Sequence, residues 1–105
     1  MIIVETSIFT RQVRALLSDD EYRQLQTELI IRPEMGAIIK GSGGLRKVRW
    51  MLRGRGKRGG MRVIYYWAVE QERLLMLLMY PKSVQDDLTS AQLKMLRKLV
   101  EAELL

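Results

Sequence analysis

Two hydrophobic periodicities organise this chain. Met1–Glu5 is short and β-branched, which suits a strand. From Ser7 to Leu17, Phe9, Val13, Leu16 and Leu17 recur near helical spacing, with Arg11 and Arg14 off that stripe. Ser18-Asp19-Asp20-Glu21 has the form of a capping box, Ser18 capping and Glu21 reaching back. A second helix follows, with Tyr22, Leu25 and Leu29 on one face, and Pro33 stops it shortly beforehand. Residues 33–44 read as a loop ending in Gly41-Ser42-Gly43-Gly44. Three strand-like runs come next: Leu45 to Met51, Met61 to Val69, and Arg73 to Lys82. Val63-Ile64-Tyr65-Tyr66-Trp67 favours strand by residue type. Leu74 to Met79 has weak β-propensity. It reads as strand because Glu70-Gln71-Glu72 is short enough for a hairpin. Thr89-Ser90-Ala91-Gln92 repeats the capping-box pattern, and the helix after it carries Leu93, Leu96, Val100 and Leu104 on a stripe.

The resulting order, β-α-α-β-β-β-α, predicts an α+β fold. A mainly antiparallel sheet, its last three strands forming a meander, would carry helices packed on it. Residues 1–105 are expected to form a single domain, a usual size for one. A turn centred near residue 71 sets Arg62 opposite Tyr80 or its neighbours, and closure of the 52–60 loop sets it near Arg49. With alternating side chains, Lys47, Arg49, Arg62, Tyr80 and Lys82 share one face. Val48, Trp50, Val63, Tyr65, Trp67, Leu75, Leu77 and Met79 take the other, which is expected to pack on the first two helices.

Charge sharpens this picture. Eighteen Lys and Arg against twelve Asp and Glu give +6, and residues 40–62 hold nine of the basic residues and no acidic one. The other 82 residues keep nine basic and twelve acidic, a net of −3. A mildly acidic domain with one concentrated cationic segment points to a polyanionic partner. The chain has no Cys and no His. That excludes disulfides, thiolate zinc sites, a thiol nucleophile, a His base and a Ser–His–Asp triad. No metal site and no cofactor are expected. The longest strongly apolar run, Leu74 to Tyr80, is far short of the roughly 20 residues that cross a membrane. No secretory pattern opens the sequence, so the expected location is the cytoplasm, with no membrane partner.

Like charges opposite each other on neighbouring strands repel, so a row of Lys and Arg needs an anion, and a phosphate backbone is the obvious one. Crowded cations also depress a Lys pKa, and a depressed Lys can act as a general base. An adjacent Arg stabilises a pentavalent phosphorane, and Tyr80 is suited to stack on a base or donate a proton. These parts suffice for metal-free RNA cleavage by attack of a ribose 2′-hydroxyl on the adjacent phosphate. They do not suffice for metal-dependent DNA hydrolysis, since clustered carboxylates are missing from the segment. Plainer readings stand beside this one. A cationic run is commonly a solvated face or a binding patch. The loop Gly54–Gly60 is either a nucleic-acid-contacting tip or a long connection, and is no Walker motif. Tyr65 and Trp67 read as core by alternation, the methionines of 76–79 as core or covered surface, and Asp86 and Asp87 as loop or cap residues.

The stretch Gly41–Arg49, then Lys57–Tyr66, then Tyr80-Pro81-Lys82 and Asp87-Leu88-Thr89, resembles the RelE superfamily of toxin–antitoxin toxins, and most of all its HigB-type branch. The resemblance runs through nearly the whole chain. It implies a ribosome-dependent mRNA endoribonuclease, an mRNA interferase, that enters the A site of the 30S subunit and stops translation. It also implies a neutralising antitoxin, often with a helix-turn-helix domain, through which alone the toxin meets operator DNA. Carried over by position, Arg62 matches the arginine that contacts the scissile phosphate. Lys47 and Arg49 match basic or acid–base positions on the preceding strand, and Lys82 the basic residue ending the last strand beside Tyr80. Arg46, Arg53, Arg55, Lys57 and Arg58 would hold RNA backbone. Several relatives use a C-terminal Tyr where this chain has Thr89, and others a His that it lacks, which leaves Lys47 and Lys82 as the candidates for the general base. The alternatives are a non-catalytic nucleic-acid-binding module or degenerate toxin of the same fold, and a structural subunit whose partner covers the basic face.

Overall fold

The computed structural model describes residues 1–104, with all side chains among them except those of Lys57 and Arg58. In chain order the elements are β1 (Ile2–Glu5), α1 (Ser7–Leu16), α2 (Asp19–Ile31), β2 (Ala37–Ile38), β3 (Leu45–Met51), β4 (Gly60–Ala68), β5 (Arg73–Pro81) and α3 (Ser90–Leu104), with a 3-10 turn at Gly56–Gly59 before β4. The sheet order is β1-β5-β4-β3-β2. β2 to β5 pair antiparallel, and β1 joins β5 in parallel. The α+β class and the antiparallel meander are as the sequence predicts. The loop expected over 33–44 contains one short edge strand, β2.

Both capping boxes form. Ser18 accepts from Glu21 N while Glu21 accepts from Ser18 N, and Thr89 and Gln92 exchange the same pair of bonds at the start of α3. α1 is capped by Thr6, whose hydroxyl accepts from Phe9 N.

The central strand explains the apolar run at 74–80. β5 is buried on both faces from Leu74 to Tyr80, and a strand covered on both sides needs no polar alternation. On one face Phe9, Val13 and Leu17 join Leu25 and Leu29 of α2 against Val48, Val63, Tyr65, Leu74, Met76 and Met79. On the other, Leu96 and Val100 of α3 pack on Leu45, Ile64, Leu75, Leu77, Leu78 and Tyr80.

This corrects the expected faces at two positions. Leu75 and Leu77 lie on the α3 side, while Met79 stays with α1 and α2. The cause is a β-bulge. Ile64 pairs with Leu78 but Tyr65 pairs with Met76, which leaves Leu77 without a partner on β4. One extra residue reverses the alternation beyond it. α1 supplies what the bulged edge lacks. The Thr6 hydroxyl donates to Leu77 O at 3.0 Å, and the Gln12 side chain accepts from Met79 N at 2.8 Å. Backbone groups beyond the end of β1 are thereby satisfied.

Candidate functional site

The bulge also aligns the cationic row. Arg49 stands opposite Arg62 across β3 and β4, and Arg62 opposite Tyr80 across β4 and β5. Lys47 sits two residues along β3 from Arg49, on the same face by alternation. The ladder runs past the end of β5 through Lys82 N, which donates to Gly60 O at 2.9 Å. α3 covers only part of this face. Beyond it lies an open groove of about 790 Å³ lined by Arg49, Met51, Gly60, Arg62, Lys82, Ser83 and Asp86.

Arg62 is the buried cation of the groove, only 5% exposed. Its Nε and Nη2 both reach Oδ1 of Asp86, each at 3.0 Å. Lys47 Nζ lies 2.8 Å from Asp87 Oδ1. The Lys47 bond and charge, helped by Arg49 and Arg62, hold the Asp87 carboxyl below its ordinary range. Tyr80 donates its hydroxyl to Asp86 O at 3.1 Å. Burial pushes that phenol up, partly offset by Arg62. The ring is packed in the α3-side core and only 6% of the residue is exposed. Arg49 and Lys82 are exposed, and neither has an ion-pair partner among the described residues.

Asp86 and Asp87, which sequence alone reads as loop or cap residues, are the groups that meet the two inner cations of the row. The available signal was complementarity: two consecutive carboxylates follow shortly after the strand that completes a cationic row.

Three other candidates separate from the row. Arg46 alternates to the α2 side of β3. There it donates to Gly36 O at 2.8 Å and Glu34 O at 3.1 Å, with its guanidinium 5.9 Å from the Trp67 ring centroid. Arg55 donates to Leu16 O at the end of α1 and pairs with Glu21 at 2.9 Å. Both are occupied in holding backbone and neighbouring elements together. Arg53 is exposed in an adjacent hollow shared with Glu21 and Glu28, and Arg49 borders both spaces. Lys57 and Arg58 lie outside the described side chains.

Chemically, the groove offers preorganised donors to an anion. A buried guanidinium held in place needs little reorganisation when charge develops near it. Among the described residues, no three of His, Cys, Asp and Glu group to hold a metal ion. No helix among them is long and apolar enough to cross a membrane.

Comparison with known proteins agrees with this architecture. The family model described as the RelE toxin of the RelE / RelB toxin-antitoxin system matches residues 1–104. The chain is also similar to the structure of a double arginine-to-alanine mutant of the E. coli toxin RelE in the free state. The TM-score is 0.58 and the identity 17%, over 81% of this chain and 86% of that one. At that identity the structural likeness speaks for the fold, and the family match spans all but the last residue. The chain, with its buried arginine and cationic groove, belongs to the RelE family of toxin–antitoxin toxins.

Proposed function

We propose that this protein is a single-domain, ribosome-dependent mRNA endoribonuclease of the HigB-type branch. It acts in the cytoplasm, in the A site of the 30S subunit, and is neutralised by an antitoxin with a helix-turn-helix domain. The observation that carries this reading is Arg62: a nearly buried arginine, in register with Arg49 and Tyr80, at an open groove that also holds Lys82.

In this reading Arg62 contacts the scissile phosphate and stabilises the charge that develops as the 2′-oxygen attacks. Lys82, as a neutral amine, takes the 2′-hydroxyl proton, and Lys47, as an ammonium, gives a proton to the leaving 5′-oxygen, so the products are a 2′,3′-cyclic phosphate and a 5′-hydroxyl. Arg49, Arg53, Lys57 and Arg58 hold flanking RNA backbone, where each phosphate contact adds a salt-dependent increment. The Tyr80 hydroxyl keeps the loop after β5 in place.

Induced expression should arrest growth, and reporter mRNA should be cut only when ribosomes are present. Arg62→Ala and Lys82→Ala should each relieve the arrest. Full arrest in both variants would refute the site. Salt-sensitive RNA binding without cleavage would instead identify a non-catalytic binding module of the same fold.

A further inference from the structure

Asp86 and Asp87 are consecutive, and they sit on the two cations of the row that are not freely exposed. The burial is asymmetric. The side chains of Arg62 and Lys47 are 7% and 18% exposed, whereas those of Asp86 and Asp87 are 59% and 82% exposed. The cations are built into the sheet, and the carboxylates reach in from solvent on a loop between β5 and α3. Both guanidinium N–H groups converge on one oxygen of Asp86. A guanidinium fork is better matched by an anion that accepts two parallel bonds, as a phosphate does. The loop is anchored behind by Lys82 N on Gly60 O and ahead by the Thr89 cap. Between these, the Tyr80 hydroxyl and a Gln85–Gln92 side-chain bond tie it down.

We propose that Arg62 and Lys47 mark two anion subsites, each fitted to one phosphodiester of a bound strand, and that Asp86 and Asp87 occupy them as an internal competitor until RNA displaces the loop. This rests on the RNA reading of the groove. Two adjacent negative charges arriving together imitate two neighbouring phosphates. While they stay, the like-charge repulsion between Arg49 and Arg62, opposite each other on β3 and β4, is offset without a ligand. Substrate then gains only the difference between its own contacts and those of the carboxylates.

The test is equilibrium binding of a single-stranded 2′-O-methyl RNA oligonucleotide, which lacks the attacking hydroxyl, to the full chain across a salt series. The double variant Asp86→Asn with Asp87→Asn should bind about tenfold tighter than the parent, a gain in the range of two modest ion pairs removed from competition. Its log–log salt slope should be steeper by up to about 1.4, since two more cations shed counterions on binding. Asp87→Asn alone, at the more exposed carboxylate, should show a smaller part of both changes and guards against a double variant that fails to fold. The control is Glu70→Gln with Glu72→Gln at the far turn, which removes the same charge and should gain less than twofold. Equal or weaker binding by the double and single Asn variants overturns the proposal, because the carboxylates would then be positioning the cations. An equal gain in the control, or no binding by any chain, overturns it as well. If the affinity shift appears but no chain cuts mRNA on ribosomes, the competitor stands and the endoribonuclease reading fails.

Discussion

Arg46 and Arg49 stand three residues apart on β3, yet they belong to different chemistry. Arg46 turns to the α2 side and donates to the carbonyls of Glu34 and Gly36. Those acceptors are backbone, fixed by the fold, and nothing in solution readily replaces them. Arg49 turns to the α3 side, where α3 stops short and the groove opens. Its cross-strand neighbour Arg62 is held by a side-chain carboxylate on a loop. Arg55 stands between the two, donating to the Leu16 carbonyl and pairing with the half-buried Glu21 carboxylate, and Lys47, on Asp87, repeats the pattern of Arg62. The difference shows that cationic density alone does not define a binding site. The acceptors differ: a cation on backbone carbonyls is tied to the fold, while a cation on exposed carboxylates is tied to groups that water also reaches. On the RNA reading proposed above, only the second kind is passed to a ligand.

The comparison can be broken by substitution, and the largest effect is expected at Arg62. Arg62→Ala should lower ribosome-dependent cleavage by about 100-fold or more, as loss of a preorganised donor to a developing oxyanion does. Unchanged cleavage would place Arg62 with the bracing cations. Next comes the bracing side. Tyr65 is fully buried, and its hydroxyl donates to Pro33 O at 2.7 Å while accepting from Gly36 N at 2.8 Å. Tyr65→Phe strands both backbone groups and should cost about 2 kcal/mol in urea unfolding. The same contact requires glycine at 36, since an added Cβ would lie 2.8 Å from the Tyr65 hydroxyl. Arg46→Ala should cost about 1–2 kcal/mol by the same measurement, and should change RNA affinity of the folded chain less than Arg49→Ala does. The smallest effect is at Arg49 itself. Arg49→Ala should leave the melting temperature nearly unchanged and reduce RNA affinity severalfold, with a salt slope shallower by about 0.7. A steep loss of stability there would show that Arg49 braces the sheet.

Much of this was legible in local patterns. The capping residues Ser18 and Thr89 bond within a few residues of themselves, so their partners are visible in the same short stretch of sequence. The stripes of α1, α2 and α3 face the core as their spacing requires. The pairing of Arg62 with Arg49 follows from closure of the 52–59 connection, while its pairing with Tyr80 needs the bulge, since the register at Ala68 and Arg73 alone would set Arg62 opposite Met79. The reading of Leu75 and Leu77 failed because a bulge has no marker in an all-apolar run. It becomes favourable only where Thr6 and Gln12, far away in sequence, satisfy the freed backbone.

By itself the sequence determined the element order, the helix caps, the cationic segment on an otherwise acidic chain, and the chemistry that lacking Cys and His excludes. Each of these depends on neighbours along the chain or on composition. Only the tertiary structure decided which cations brace and which line the groove. It placed β1 beside β5, laid α3 over part of one sheet face, and brought Asp86 and Asp87 onto Arg62 and Lys47 across 24 and 40 residues. A charge's role depends on what it meets in space, and long-range partners are set by the packing of the whole sheet.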